Sequence, residues 1–218
     1  KISLLLGDYI FSQALSNMIK LKNFDALEIL SNTANRLSQG ELLQMERSKT
    51  KDIDEATYLK MISDKTASLF SASSEIGAIT VEASHSERNA LKIFGEKLGI
   101  AFQIKDDLFD LVGNQDGLGK PTGFDVKKNM ITLPFIHLMS TLKGLERFKI
   151  ISKLKFYAKK GELRKIESMI NQFGSMQYAE NLMIKISNEA IKELDIFSES
   201  DAKKSLILLV KYNLERTK

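Results

Sequence analysis

Three aspartates near the middle of the chain have the clearest potential for chemistry. Asp106, Asp107 and Asp110 lie in the run FQIKDDLFD, among apolar neighbours that predict a core-facing helix. On a helix Asp106 and Asp110 lie one turn apart, and Asp107 is a further neighbour of Asp110. Clustered carboxylates repel one another unless a cation lies between them, and hard oxygen ligands favour Mg²⁺ over zinc. The alternative is a solvated acidic end of a helix, which the helix dipole disfavours.

A glycine-rich segment with a lysine follows the aspartates. The run GLGKPTGFD covers residues 117–125 and contains Lys120. Glycine backbone beside a lysine can approach a phosphate closely, although the spacing is not that of a Walker P-loop. Together with the aspartates, the segment predicts a site where magnesium and lysine hold a diphosphate. An ordinary flexible loop is the alternative.

Lys65 and Thr66 are a third feature, in the run SDKTASLF. A solvent-exposed lysine is the ordinary interpretation of such a pair. The small residues that follow, between Ala67 and Ser74, are less usual. They allow two helices to approach closely, or they leave room beside a cavity.

Long helices are expected to position these residues. The chain has 2 prolines, where average composition would give about 11, and proline interrupts helices. Apolar periodicity predicts a single all-α domain over residues 1–218, a bundle of eight or nine helices. Asp54 is predicted to cap one helix, and Ser84 or Ser86 the next, with Glu87 in its first turn. The predicted helices cover residues 3–21, 24–46, 55–81 with a break near Gly77, 84–112, a stretch from 132, 145–159, 161–173, 175–194 and 200–214, and the predicted loops are 47–54 and 113–129.

Composition excludes several classes of function. The chain of 218 residues has no cysteine, which removes disulfides and cysteine-based zinc sites and fits a cytoplasmic protein. No apolar run of about 18 residues predicts a transmembrane helix. The 32 basic residues are interleaved with 28 acidic ones, so the net charge of +4 gives no support to nucleic-acid binding.

The remaining polar residues receive structural interpretations. His85 is expected at a helix end and His137 in a packed position, since neither has a metal-ligating partner at a suitable spacing. Arg216 is interpreted as part of a frayed terminus, and a basic tail that closes over a site is the alternative. Lys159 and Lys160 are expected on an ordinary solvated face.

Six motifs in this order resemble the trans-isoprenyl diphosphate synthases. They are GDYIF (7–11), GELLQ (40–44), DKT (64–66), FQIKDDLFD (102–110), GLGKPTGFD (117–125) and TLP (132–134). The match spans about residues 3–137. The resemblance implies an all-α homodimer with an isoprenoid-synthase-type bundle around a central cavity. It further implies head-to-tail addition of isopentenyl diphosphate to an allylic diphosphate that is held by three Mg²⁺ ions.

The resemblance also implies site residues. The implied Mg²⁺ ligands form the second of two aspartate-rich motifs: Asp106, Asp107 and Asp110. The implied contacts of the diphosphate are Lys65, Thr66, Gln103 and Lys120. The groups expected to act in catalysis, by stabilising negative charge on the leaving diphosphate, are Asp106, Asp107, Lys65 and Lys120.

Two motifs favour a branch of the family. GELLQ and TLPFIH look more like long-chain polyprenyl synthases, such as the octaprenyl type that makes quinone side chains. The alternatives are a short-chain farnesyl or geranylgeranyl synthase and a non-catalytic subunit of a heteromeric synthase. A terpene cyclase fits less well, because the Asn/Ser/Glu metal triad is not found. A long-chain product would also suit peripheral membrane contact during release.

The chain departs from the family pattern at two places. Asn129 and Met130 stand where the family usually has Gly-Lys, and Lys127 or Lys128 is the hypothesised substitute for that lysine. The first aspartate-rich motif would lie about 30 residues before Gly7, upstream of Lys1. The chain is therefore expected to be part of a longer protein, and it lacks the N-terminal helices of that protein.

Overall fold

The computed structural model describes residues 2–50, 53–112, 132–160 and 162–216, and these ranges contain helices and no strand. The all-α prediction is therefore confirmed. The helices are α1 (Ile2–Leu21), α2 (Phe24–Thr50), α3 (Glu55–Ile62), a π-helical turn (Ser63–Ala67), α4 (Ser68–Ile79), α5 (His85–Val112), α6 (Leu133–Thr141), α7 (Gly144–Lys159), α8 (Leu163–Gln172), α9 (Ser175–Glu193), a 3₁₀ turn (Leu194–Ile196) and α10 (Asp201–Glu215).

Helix starts follow the local capping signals. The Asp54 side chain accepts a hydrogen bond of 2.7 Å from the backbone N–H of Thr57 at the start of α3. Ser84 and Glu87 form a reciprocal capping box before α5, in which the Ser84 N–H donates to Glu87 Oε2 at 2.9 Å. Both predicted caps are confirmed. They satisfy backbone donors that the first helical turn leaves without intrahelical partners.

Two helix boundaries differ from the prediction. Helix α2 continues to Thr50, although residues 47–54 were predicted as a loop. The helix predicted over 55–81 is interrupted at Ser63–Ala67 and ends at Ile79, and Gly77 continues α4 without a break. An added Cβ at Gly77 would meet open space, so nothing at this position forces a change of direction.

Helix α5 runs through the middle of the packing. It contacts α4 and α9 along its length, and the π turn and α6 over shorter stretches. The larger buried cluster includes Tyr58, Ile104, Leu133 and Ile170, which join α3, α5, α6 and α8. Because α5 carries the aspartates, its buried face fixes where they stand. Within the described ranges, the helices are too short or too polar to span a bilayer.

Candidate functional site

The Lys65 motif lies on the π turn, Ser63–Ala67, between α3 and α4. A π turn holds an extra residue and is frequent at functional sites. Helix α2 approaches it at Gly40, where an added Cβ would come within 2.6 Å of the Lys65 backbone nitrogen. Helix α5 approaches it at Gly99, where a Cβ would lie 2.5 Å from Ala67 Cα. Both helices therefore pack directly on the backbone of the turn.

Arg36 of α2 fixes the same turn by hydrogen bonds. Its Nε donates to Asp64 Oδ1 at 2.9 Å, and its two terminal nitrogens donate to the Glu96 carboxylate of α5 at 3.0 and 2.6 Å. A further bond of 2.8 Å reaches the Ser63 hydroxyl. Lys60 donates to the other oxygen of Asp64 at 2.6 Å. One guanidinium thus joins α2, the π turn and α5.

The network shifts the titration of its acids. Burial acts to raise the pKa of Asp64, but hydrogen bonds from Lys60 and Arg36 outweigh it and hold that pKa below its usual value. The pKa of Glu96 is lowered in the same way, with burial opposed by Arg36 and Ser63. Lowered carboxyl pKa values stabilise the fold above about pH 4, and this contribution is lost as pH falls through the folded-state pKa.

The Lys65 ammonium is held on α2 by two residues of the GELLQ motif. Its Nζ donates to Gln44 Oε1 at 2.5 Å and forms an ion pair of 3.1 Å with Glu41. Lys65 is only partly buried, so the ammonium remains accessible to an anion. An anionic ligand would find a positive charge whose position is already constrained.

A continuous chain of hydrogen bonds links Lys65's neighbour to the aspartates. The Thr66 hydroxyl donates to Gln103 Oε1 at 2.7 Å, and the Gln103 amide donates to Asp107 Oδ1 at 3.0 Å. The Tyr58 hydroxyl donates to Asp107 Oδ2 at 2.8 Å. The predicted residues Thr66, Gln103 and Asp107 are therefore brought together, although 37 positions separate Thr66 from Gln103.

Asp107 has an unusual electrostatic environment. Burial raises its pKa to about 6, against hydrogen bonds from Tyr58 and Gln103 that lower it, and the charges of Asp110 and Asp106 add to the rise. Burial and the Asp107 charge also raise the pKa of Tyr58, so the phenol remains the donor. Both carboxylate oxygens of Asp107 accept a hydrogen bond from the protein, which orients this side chain.

Asp106 meets the end of the chain. Its carboxylate accepts a hydrogen bond from the Arg216 guanidinium, which follows α10. Arg216 also donates to Asn213 Oδ1 at 3.0 Å and to the Phe102 carbonyl at 3.2 Å, and its guanidinium lies 4.3 Å from the centre of the Phe102 ring. The interpretation of Arg216 as part of a frayed terminus was wrong, because these contacts dock it on α5.

The three aspartates do not converge on one point. Asp106 and Asp110 lie on the same side of α5, one turn apart, and Asp110 is exposed. Asp107 is rotated about 100° around the helix axis from Asp106, toward Tyr58 of α3. Among the described residues, no group of three or more His, Cys, Asp or Glu side chains is close enough to hold a metal ion.

Part of the predicted site lies outside the described residues. This applies to Lys120 and the rest of 117–125, and to Lys127, Lys128 and Met130. Their roles stay predictions. The helix that follows them begins as expected, with Pro134 in the first turn of α6.

Three residues around the site received no functional role from the sequence, namely Arg36, Gln44 and Tyr58, and Arg216 received one only as the alternative to a frayed terminus. Gln44 belongs to GELLQ, so the motif itself was a usable signal. Tyr58 lies seven residues, or two helical turns, before Lys65. That spacing does not predict its contact with Asp107, which the structure shows. Arg36 and Arg216 act over 60 and 110 positions, respectively, and no local pattern marks such contacts. His137 is packed as predicted, stacked on Tyr178 with ring centres 4.1 Å apart.

Comparison with known proteins shows the family to which the chain belongs. The model of the polyprenyl synthetase family matches residues 1–172, which include α1 to α8 and the Lys65 and aspartate motifs. The chain belongs to the polyprenyl synthetase family. The recognition of the family from its motifs is thus confirmed, and so is its all-α fold.

Solved structures of this family superpose closely on the chain. The decaprenyl diphosphate synthase of Rhodobacter capsulatus is 31% identical with a TM-score of 0.85, covering 99% of this chain and 67% of that protein. A polyprenyl synthase of Caulobacter crescentus, whose crystal structure contains calcium and isoprenyl diphosphate, is 30% identical with a TM-score of 0.83 and covers 98% and 66%.

Relatives within the polyprenyl synthetase family differ in the product they are named for. The octaprenyl diphosphate synthase of Haemophilus influenzae is 29% identical over 98% of the chain and 65% of its own length. The geranylgeranyl diphosphate synthase of Sulfolobus acidocaldarius is 35% identical over 96% and 64%. The chain therefore spans about two thirds of these relatives, and similarity alone does not choose between long and short products.

Proposed function

We propose that this chain forms the allylic diphosphate site of a trans-prenyltransferase. The hydrogen bond from Thr66 to Gln103 is the observation that carries the proposal, because it joins the Lys65 turn to the aspartate helix. Gln103, Asp106 and Asp110 follow one another at spacings of three and four residues, along one side of α5. An ammonium group that can bind a diphosphate and two carboxylates that can bind its counter-cation thus lie on two elements that this hydrogen bond joins.

The chain's own residues have defined tasks in this proposal. Lys65 binds the leaving diphosphate, and its ammonium stabilises the negative charge that grows as the allylic C–O bond breaks. Thr66 and Gln103 hold the π turn against α5 through their hydrogen bond. Asp107 positions Gln103 and is itself oriented by Tyr58. The allylic carbon then bonds to the alkene of isopentenyl diphosphate, and the released diphosphate accepts the proton that leaves the new carbon chain.

The donor set of this site fits Mg²⁺. Asp106 and Asp110 offer hard oxygen ligands one turn apart, and the present partner of Asp106 is itself a cation, Arg216. We propose Asp106 and Asp110 as the residues that hold the metal. Asp107 stays a predicted third ligand, although both of its carboxylate oxygens already accept hydrogen bonds from Tyr58 and Gln103. When bound, Mg²⁺ would neutralise the diphosphate and favour its departure. The expected number of three ions follows from the family resemblance and remains part of the proposal.

A long-chain product is the finer part of the proposal. The GELLQ and TLPFIH motifs support it, and quinone side chains would be the use of such a product. A short-chain product is the second candidate, since the geranylgeranyl synthase of Sulfolobus acidocaldarius is 35% identical. Reversed-phase separation of the dephosphorylated product distinguishes the two by its number of isoprene units.

A homodimer is also proposed, with α1 at the contact between two copies. Helix α1 exposes a run of large apolar side chains that includes Leu4, Leu5 and Ile10. A single copy would leave this face in water. Sedimentation equilibrium tests the association, and Leu5→Glu is expected to shift the protein toward a monomer.

The proposed activity is tested on the protein from its complete reading frame. It is incubated with Mg²⁺, radiolabelled isopentenyl diphosphate and farnesyl or geranylgeranyl diphosphate, and labelled prenyl product is measured. Lys65→Ala and Asp106→Asn are each expected to lower kcat/KM by about 100-fold or more, since each removes a charge from the leaving-group site. Chelation of the metal should abolish product.

Lys185→Ala is the matched control. Lys185 is an exposed lysine of α9, and its replacement should leave kcat/KM unchanged. No labelled product from the unmodified protein would contradict the catalytic proposal. It would favour the non-catalytic subunit instead.

A further inference from the structure

Positive charge is concentrated in one short part of the chain. Residues 143–165, here named the basic segment, carry nine lysines and arginines against two glutamates, a net charge of +7. The whole chain has a net charge of +4, so the remainder is net negative. The basic segment comprises α7 and the start of α8. The basic and acidic residues are therefore not evenly interleaved. The interpretation of an evenly mixed charge distribution was wrong for this segment.

Helix α7 has apolar residues on two opposite faces. Leu154 is buried against the core, and Ile150 and Tyr157 lie partly buried on the same side. The outer face presents Leu145, Phe148 and Phe156, whose exposed fractions are 80%, 71% and 53%.

The three outer residues form one stripe. They recur at spacings of three and eight residues, which places them along one line of the helix. We name Leu145, Phe148 and Phe156 the outer stripe. The inner face already supplies the contact with the core, so the outer stripe is not needed to pack α7.

Lysines flank the outer stripe, and those whose side chains the structure describes beside it, Lys149 and Lys153, form no ion pair with a described carboxylate. Lys149 and Lys153 are both exposed on α7, one turn apart. Among the described basic side chains of the segment, Lys165 alone forms an ion pair, with Glu162 at 2.9 Å. By contrast, Arg36 of α2 and Lys97 of α5 are each paired with a carboxylate. The described cations of the segment other than Lys165 therefore remain available to an external anion.

The basic segment also lies at the periphery of the bundle. Helix α7 packs on α8, and α8 in turn contacts α5, α6 and α9. The exposed face of α1 differs, because its apolar run from Ile2 to Leu6 contains no charged residue. An uncharged apolar face suits another protein surface. Exposed aromatic and aliphatic side chains among unpaired lysines suit an interface that is both anionic and apolar.

We propose that the basic segment docks on a lipid bilayer that carries anionic headgroups. Lys149, Lys153 and the other described basic side chains of the segment are attracted to the headgroup charges, and the outer stripe enters the boundary between headgroups and acyl chains. Nucleic acid offers the charge but no apolar layer for three aligned large side chains. The docking does not depend on the proposed prenyl transfer, and its readout is binding alone.

The test is flotation of the complete protein with lipid vesicles. Vesicles of phosphatidylcholine with about 30 mol% phosphatidylglycerol should retain the protein, and phosphatidylcholine alone should retain it about tenfold less. Raising the salt concentration from about 0.05 to 0.5 M should weaken binding, because salt screens exposed charges. The double variant Lys149→Glu/Lys153→Glu is expected to lower the partition coefficient by about tenfold or more.

The matched control changes net charge equally at another place. Lys185→Glu/Lys192→Glu reverses two exposed lysines of α9 and should retain most of the binding. Equal loss in both double variants would overturn the proposal, since net charge rather than the basic segment would be responsible. Phe148→Ser/Phe156→Ser should also weaken binding about tenfold.

Two further outcomes would assign the surface to another partner. If the phenylalanine variant changed the oligomeric state and left vesicle binding intact, the outer stripe would be a contact between copies. If the unmodified protein bound single-stranded or duplex DNA but no anionic vesicle, the surface would bind nucleic acid. Either result overturns the bilayer proposal. Circular dichroism of each variant confirms that the helices are retained.

Discussion

Cations near the aspartates and cations on α7 have opposite surroundings. Lys65 lies on a backbone turn packed against Gly40, and its ammonium contacts Gln44 and Glu41. Lys149 and Lys153 are exposed on α7 and have no carboxylate partner among the described residues. The first arrangement fixes one charge at one place. The second leaves many charges free to adapt to a broad surface.

The comparison separates positioning from attraction. A diphosphate that loses its allylic group needs cations whose places are set beforehand, because the stabilising charges must not reorganise during the reaction. A fluid lipid surface needs no fixed geometry, since its headgroups rearrange around the protein. Packing should therefore decide the effect of changes near Lys65, and charge together with exposed apolar area should decide it on the outer face of α7.

The largest expected effect is the difference in stability loss between substitutions on the two faces of α7. Leu154→Ala should lower the free energy of unfolding by about 2–5 kcal/mol, because it empties a buried site. Phe148→Ala, on the exposed face, should change it by less than about 0.5 kcal/mol. Urea unfolding followed by circular dichroism measures both. Similar losses would show that the outer stripe is packed and would remove the contrast.

A smaller but functional effect is expected at Gly40. Gly40→Ala places a Cβ against the Lys65 backbone and should cost about 1–3 kcal/mol, together with a fall in kcat, because the turn must shift. Gly77→Ala is the control, since its Cβ meets open space and alanine favours a helix by up to about 1 kcal/mol. Equal stability of the two variants in thermal unfolding would argue against direct packing on the turn.

Tyr58→Phe tests the orientation of Asp107 with a smaller change. Loss of one buried hydrogen bond should lower the free energy of unfolding by about 1 kcal/mol. The hydroxyl favours the charged carboxylate, so its removal should raise the pKa of Asp107 above about 6. If charged Asp107 is needed, the acidic limb of the pH–rate profile moves to higher pH. An unchanged limb would show that Asp107 does not titrate in the reaction.

The smallest effects should have opposite signs in the two regions. Lys153→Gln removes like-charge repulsion with Lys149 and should raise the free energy of unfolding by about 0.2–0.5 kcal/mol at low salt. Lys60→Gln removes the ion pair with Asp64 and should lower it by about 0.2–1 kcal/mol. High salt should reduce the gain from Lys153→Gln. If both variants changed the free energy of unfolding in the same direction, the assignment of unpaired lysines to α7 would be contradicted.

Local signals made part of this structure predictable. Asp54, Ser84 and Glu87 are capping residues whose hydrogen bonds reach three positions along the chain, so the sequence contains the whole interaction. The Lys65–Thr66 and aspartate motifs were likewise visible as residue types at short spacings. Their joining by Thr66 and Gln103 follows from the packing of α4 on α5.

Other features depend on packing that no short segment encodes. The π turn at Ser63–Ala67 lies where α2 and α5 pack on its backbone. The glycines that allow this close approach, Gly40 and Gly99, lie on those two helices. Helical spacing relates Asp106 to Asp107, but the burial of Tyr58 decides which of them turns inward. Arg216 docks across 110 positions. The charge of the basic segment can be counted in the sequence, although it was not recognised there, and the exposure of Phe148 and Phe156 required the structure.

Calorimetric titration with inorganic diphosphate and Mg²⁺ tests the central claim most directly, because it measures the proposed leaving-group site without the full reaction. The unmodified protein should bind the ligand, Lys65→Ala and Asp106→Asn should each raise Kd by about tenfold or more, and Lys149→Ala/Lys153→Ala should leave it unchanged. Unchanged binding in both site variants, or loss of binding in the α7 variant, would contradict the account.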